Sequence, residues 1–303
     1  MAKLADCIQY LEQLRAERRR GLGGSDAGAV LEINPWATPL DVYLEKVEGH
    51  EREETEPMRW GRILEPAVAL EWSRRTGHRL RTSPTLWHPD HSWMLGHVDR
   101  LGTIIDDGRE FVYEGKAVSL RMSGDWGASG QTFPTAEAAA YQIPAPYVCQ
   151  ACHYMAVADL DLAVIVVFIG GQELRWYWLR RDPGFERVLV DRLGAFWNRH
   201  VLARVPPDPI RKQDIAKLYK PEETAVVADA HAITALMEFH RAHAAEAAAK
   251  EDKERARFRL TRTMGSATEL VDADGRRLAT WRREGSRTYR TFRASTTVTE
   301  PDL

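Results

Sequence analysis

Two carboxylates and a lysine stand at a spacing that can hydrolyse a phosphodiester. Asp99 closes the run Gly96-His97-Val98-Asp99, a turn is predicted through Asp106-Asp107-Gly108, and Glu114-Gly115-Lys116 follows fifteen residues after the aspartate. Residues i and i+2 of a strand share a face, so Glu114 and Lys116 point the same way, and a hairpin can bring Asp99 beside Glu114. Carboxylates so placed offer hard oxygen ligands suited to Mg²⁺ or Mn²⁺. A lysine on that face can orient the attacking water or help deprotonate it, while the cation offsets charge on the scissile phosphate. An exposed strand with a cross-strand ion pair produces the same three residue types. The surrounding elements decide between the two.

Those elements are predicted as helices, then a strand meander, then helix, strand pair and helix. Residues 3–19 carry a helical stripe of Ile8, Leu11 and Leu14 and lead into the turn Gly21–Asp26. A small-residue helix, Ala27–Leu31, follows, and Ser25 or Asp26 suits its N-cap. Another helix starts at Thr38-Pro39 and runs to about Val47, and Met58–Thr76 reads as a longer one stopped by Gly77. Short β-rich runs come next: His78–Thr82, Trp93–Asp99, Gly102–Ile105 and Glu110–Val118. Residues 119–142 are irregular, Pro146–Ala158 is helical, and Ala163–Ile169 with Leu174–Leu179 makes a strand pair about the Gly170-Gly171 turn. Phe185–Ala203 closes the core. The prolines of Val205–Pro209 mark a linker. The predicted division is therefore an α/β core over 1–209 and an accessory extension over 210–303, with a long helix at 222–264 and two or three strands at 270–293.

Composition narrows the class. The chain has 303 residues, 44% hydrophobic and 28% charged, a soluble globular balance that needs no disulfide or metal to fold. Its longest apolar stretch, Leu162–Gly171, is about half of a membrane span. The first twenty residues lack the apolar run of a secretory signal. Three cysteines make no disulfide framework, and one Cys149-x-x-Cys152 pair makes no zinc site, so a reducing cytoplasm is expected. Three are also too few for a four-cysteine iron–sulfur cluster. Cys149 and Cys152 are expected as packing thiols, and His97 and His153 each as a satisfied or supporting histidine. A net charge of −2 gives no global signature of nucleic-acid binding, although four arginines crowd Arg15–Arg20 and seven lie in Arg276–Arg293. Trp36 and Trp126 lie in loops that could flank the cleft.

Five separated segments recur in one order: Arg18/Arg19 with Gly24-Ser25-Asp26, Gly61 with Glu65, Asp99, Glu114-x-Lys116, and Tyr147 with Gln150. In that order the chain resembles the lambda-exonuclease-like, YqaJ-type phage recombinase nucleases of the PD-(D/E)XK superfamily, over roughly residues 10–180. The resemblance implies a central mixed sheet flanked by helices. It implies that Asp99 and Glu114 bind Mg²⁺ or Mn²⁺, one or two ions per site, with the Gly115 carbonyl completing the first site. Lys116 would hold or activate the water, and Glu65 would reach water or a second ion from its helix. Arg18 or Arg19, Ser25 and Gln150 would grip the 5′-phosphate of a DNA end; a Gly-rich turn opening a helix is an anion site on physical grounds as well. Ala117 departs mildly from the threonine frequent in relatives.

The implied activity is metal-dependent 5′ to 3′ resection of double-stranded DNA ends for phage-type recombination, in a bacterial cytoplasm. The implied partners are a homo-oligomeric ring and a single-strand annealing protein, with no membrane. A distributive or structure-specific endonuclease on the same fold, or a DNA-end-binding module without turnover, remains the alternative. Beyond the core, Arg287, Tyr289, Arg290, Phe292 and Arg293 interleave cations with aromatics, a pattern that suits a nucleic-acid backbone with stacked bases and equally an exposed hairpin.

Overall fold

The computed structural model describes residues 16–50, 53–283 and 289–295, and the chain divides into two compact units, Met1–Pro221 and Glu222–Leu303. The predicted helix over residues 3–15 lies outside the described residues; 16–19 are helical.

In the first unit, α1 (Gly24–Val30) and α2 (Pro39–Tyr43) precede the long α3 (Glu56–Thr76). Helix α3 ends where Gly77 turns left-handed, at φ 76°, and returns its N–H to the Ser73 carbonyl. Strands β1 (Arg79–Arg81), β2 (Leu86–Trp87), β3 (Leu95–Gly96), β4 (Arg100–Thr103) and β5 (Glu110–Val118) follow. Then come β6 (Thr132–Phe133), α4 (Ala136–Ala140), α5 (Ala145–Ala158), β7 (Leu162–Ile169), β8 (Glu173–Arg180) and α6 (Pro183–Phe196).

Six strands form one mixed sheet in the order β1-β4-β5-β7-β8-β6. Strand β5 runs antiparallel to β4 and parallel to β7, and α4 and α5 fill the crossover between the two parallel strands. The hairpin β7–β8 turns through Gly170 and Gly171, both with positive φ, where a side chain would strain the backbone.

Each face of the sheet packs separately. On one face Val68, Ala69 and Trp72 of α3 meet Phe111, Tyr113, Val164 and Val166. On the other, Val112, Ile165, Val167 and Ile169 meet α1, α5 and α6 through residues such as Ala27, Cys149, Met155 and Leu193. This is the predicted mixed α/β core. Its alternation is strict, so neighbouring residues of β5 serve opposite layers.

The first unit continues past Val205–Pro209. Helix α7 (Lys212–Leu218) docks back on the loop before α2: Asp214, fully buried, accepts from Thr38 Oγ1 at 3.0 Å, and Arg211 donates to the carbonyls of Asn34 and Pro35 at 2.6 and 2.8 Å. The prolines interrupt helix but do not separate a domain.

The second unit holds α8 (Ala230–Met264) and a three-stranded antiparallel sheet of β9 (Glu269–Val271), β10 (Arg277–Arg283) and β11 (Arg290–Ala294). The helix starts at 230 rather than the expected 222 because the Asp229 carboxylate caps it, accepting from Ala232 N–H at 2.7 Å. Arg290 lies over the Trp281 ring at 3.9 Å and donates to the Trp281 and Gly265 carbonyls. That arginine is used inside its own unit instead of being displayed. Arg287 lies outside the described residues.

Candidate active site

Strand β5 brings Glu114 and Lys116 to the face covered by α5. Their register partners on β7, Ile165 and Val167, belong to the same layer. Arg100 pairs with Tyr113, so Asp99, one residue earlier, stands opposite Glu114. The strand expected over Trp93–Asp99 is only Leu95–Gly96, because its pairing is with Leu86 and Trp87 and ends there. Asp99 therefore enters from an irregular segment, and its Oδ2 accepts from the Gly115 N–H at 2.8 Å.

Lys116 is the hub. Its Nζ donates to Glu114 Oε1 and to Gln150 Oε1 (3.1 Å), and Gln150 Nε2 donates to the Tyr154 hydroxyl at 3.2 Å. Gln150 and Tyr154 sit one helical turn apart on α5, where i and i+4 share a face. That spacing was available to sequence reading, which passed over Tyr154. The small-residue turn packs here too: a Cβ on Gly24 would come within 2.6 Å of the Tyr154 ring and 3.0 Å of Gln150.

Glu65 approaches from the other layer. It lies on α3, and its Oε1 pairs with Arg100 Nη1 at 2.7 Å. Arg100 is a second residue the sequence reading missed; its place next to Asp99 at the start of β4 is the signal, since it must face the opposite layer. Among the described residues no group of three His, Cys, Asp or Glu side chains is close enough to hold an ion. Asp99 and Glu114 thus come together, while Glu65 is committed to Arg100.

The expected phosphate pocket is assembled in part. Ser25 is exposed and is the second residue of α1 rather than its cap. Gly23 holds the cap position, and Asp26 accepts from its N–H at 2.8 Å. Lys46, buried, pairs with Asp26 at 2.8 Å and donates to the Arg18 carbonyl at 2.9 Å, tying α1 to the arginine run. Arg19 turns to the Gly49 carbonyl at 3.3 Å, and Arg20 lies over the Trp87 ring at 4.9 Å. Arg18, Arg19 and Arg20 are all exposed; burial raises Tyr154, and the charge of Arg18 acts against that shift, lowering it. His153 is buried, with its Nε2 2.7 Å from the Leu95 carbonyl and its Nδ1 without a partner among the described residues, and burial pushes it down to about 4. Burial raises Cys149 and Cys152, which are inert thiols here.

The YqaJ-like viral recombinase domain matches residues 13–161, a span that contains Glu65, Asp99, Glu114, Lys116 and Gln150. That segment is similar to the family over just under half of the chain. The YqaJ protein of Bacillus subtilis (strain 168) is 31% identical over 197 residues, 63% of this chain and 56% of the relative. The chain thus spans little more than half the length of that curated relative. Two solved structures are similar: an alkaline exonuclease, LHK-Exo, from Laribacter hongkongensis (TM-score 0.48, 15% identity, 69% of this chain and 100% of that one), and a phage-related exonuclease from Haemophilus somnus 129PT (0.46, 13%, 61% and 96%).

In the YqaJ-like segment the electrostatics single out one carboxylate. Burial, then the charge of Asp99, pushes Glu114 up to about 8, against the pull of Lys116. Burial also raises Asp99, and burial with the Asp99 charge raises Glu65. Burial would lower the proton affinity of Lys116, but Glu114 and Asp99 outweigh it and keep the ammonium charged. Glu114 Oε2 is buried with no hydrogen-bond partner. An orphaned carboxylate oxygen set against a second carboxylate has the chemistry of ligands for a hard cation.

A raised carboxyl binds its proton more tightly folded than unfolded, so its stabilisation is full below the unfolded value of 4.5 and is lost as pH rises through about 8. In EDTA the thermal midpoint should therefore fall by several degrees across that window. Glu114→Gln should flatten the fall, because the amide cannot ionise. Calorimetry at closely spaced pH values decides it; a flat midpoint in the intact chain would remove Glu114 as a strained group.

Proposed function

We propose that the chain is a divalent-cation-dependent DNA exonuclease that resects double-stranded ends. The observation that carries this is the buried, unpartnered Glu114 Oε2 set against Asp99 and the Lys116 ammonium. The match of residues 13–161 to the YqaJ-like viral recombinase domain supports DNA as the substrate. Resection 5′ to 3′ for recombination by strand annealing, with an annealing partner and a ring-forming oligomer, belongs to the same reading.

Asp99, Glu114 and the Gly115 carbonyl would hold Mg²⁺ or Mn²⁺, which when bound offsets phosphate charge and acidifies water. Lys116 keeps its proton on Nζ and orients the attacking water with the N–H not given to Glu114 and Gln150. Gln150 holds that ammonium in place from α5. Glu65 could serve a second ion only by releasing Arg100, so this chain's own residues favour one ion.

Arg18, rather than Arg19, would meet the terminal 5′-phosphate together with Ser25 and Gln150. The test uses linear duplex labelled at one end, bearing either a 5′-phosphate or a 5′-hydroxyl. The phosphorylated end should be preferred by about tenfold, the worth of one charge-assisted contact. Gln150→Ala should shrink the preference. Equal rates on both ends by the intact chain would refute the pocket, and cleavage of closed circles at the linear rate would favour an endonuclease instead.

A further inference from the structure

A ladder of aromatic rings leads outward from Lys116. Its Nζ lies 5.1 Å from the Tyr147 ring centroid, Tyr147 stacks on Trp126 at 5.5 Å with 18° between planes, and Trp36 stacks on Tyr147 at 6.1 Å and 28°. Trp126 is 3% exposed and belongs to the core, whereas Trp36 is 55% exposed. Simple loop packing would bury both rings. Instead one indole ends the ladder with much of its surface open to solvent.

The backbone of the loop under that indole is hydrogen-bonded on both sides. The Trp36 N–H donates to Asn34 Oδ1 at 2.8 Å, and Arg211 grips the carbonyls on either side of the Asn34–Pro35 bond. An aromatic fixed before its ligand arrives loses little freedom on binding. Every nucleobase has a π-face, so such a ring accepts any base.

We propose that the open side of Trp36 is a stacking platform for a base of the DNA strand whose phosphate lies at Lys116. This rests on the nuclease reading above. The platform would fix the position of the strand without reading its sequence.

Binding of a 5′-phosphorylated linear duplex, and of versions with one abasic residue at each of the first three positions, is measured in EDTA with the full chain. For the intact chain, one abasic position should weaken binding about tenfold, within the range for a lost base–aromatic stack. Trp36→Ala should show that loss on natural DNA and be indifferent to the abasic residue; Trp36→Phe should keep most of the affinity. If Trp36→Ala does not fold, the abasic series with the intact and Trp36→Phe chains decides. Equal binding of every abasic probe by the intact chain overturns the platform, whatever the variants do. Cation-dependent cleavage alongside that indifference leaves the nuclease reading standing. Abasic-sensitive binding without cleavage keeps the platform and sinks the nuclease reading.

Discussion

Asp99→Ala and Glu114→Ala should each slow cation-dependent hydrolysis of linear duplex DNA by about three orders of magnitude, or ~4 kcal/mol of barrier. Either change leaves one carboxylate where two converge, so the cation is held weakly and phosphate charge is poorly offset. The two variants should differ in stability. Removing Glu114 abolishes a buried acid with an unpartnered oxygen, and the folded chain should gain or hold stability above neutral pH. Removing Asp99 takes an acceptor from the Gly115 N–H and should cost about 1 kcal/mol. Single-turnover digestion and urea melts of the same preparations give both quantities. Hydrolysis at near the intact rate in Asp99→Ala would sink the assignment of this site.

Lys116→Met keeps the length of the stem and removes the ammonium, and turnover should fall by about 10²-fold or more. The effect has two parts. The water loses its donor, and Glu114 loses the charge that opposes its burial, so its proton is held more tightly still. Raising the cation concentration or the pH should recover the second part and not the first. Lys116→Arg should rescue little, because a planar fork cannot replace a point charge shared between Glu114 and Gln150. Full recovery of rate by pH alone in Lys116→Met would show that the lysine acts only through Glu114.

The Glu114–Lys116 pair was legible from period-two alternation, since residues i and i+2 of β5 must share a face whatever the topology. Strands β5, β7 and β8 were equally plain, being dense in β-branched and aromatic residues and bounded by glycine turns. The route of Asp99 was not legible, because Trp93–Asp99 has strand-like composition throughout and only tertiary pairing decides that β3 stops at Gly96. Glu65 showed the same limit. Helical spacing places it on α3 but cannot say which sheet face α3 covers, and the answer puts it across the sheet from Glu114 and against Arg100. The cap of α1 was misplaced by propensity. Asp26 serves the helix from its third position while also pairing with Lys46, a partner twenty residues away that no local rule supplies.

The clasp between Arg211 and the Asn34–Pro35 carbonyls joins points 176 and 177 residues apart in sequence. A ribosome adds roughly 5–20 residues per second. The loop bearing Trp36 is thus made on the order of ten to thirty-five seconds before the arginine that fixes it. Contacts of such long range form late in folding. During that interval β4 and β5 are both made and available to pair, whereas the Trp36 loop still lacks its Arg211 clasp. Order of synthesis therefore sets the clasp on the Trp36 loop apart in time from the strands that carry the carboxylates.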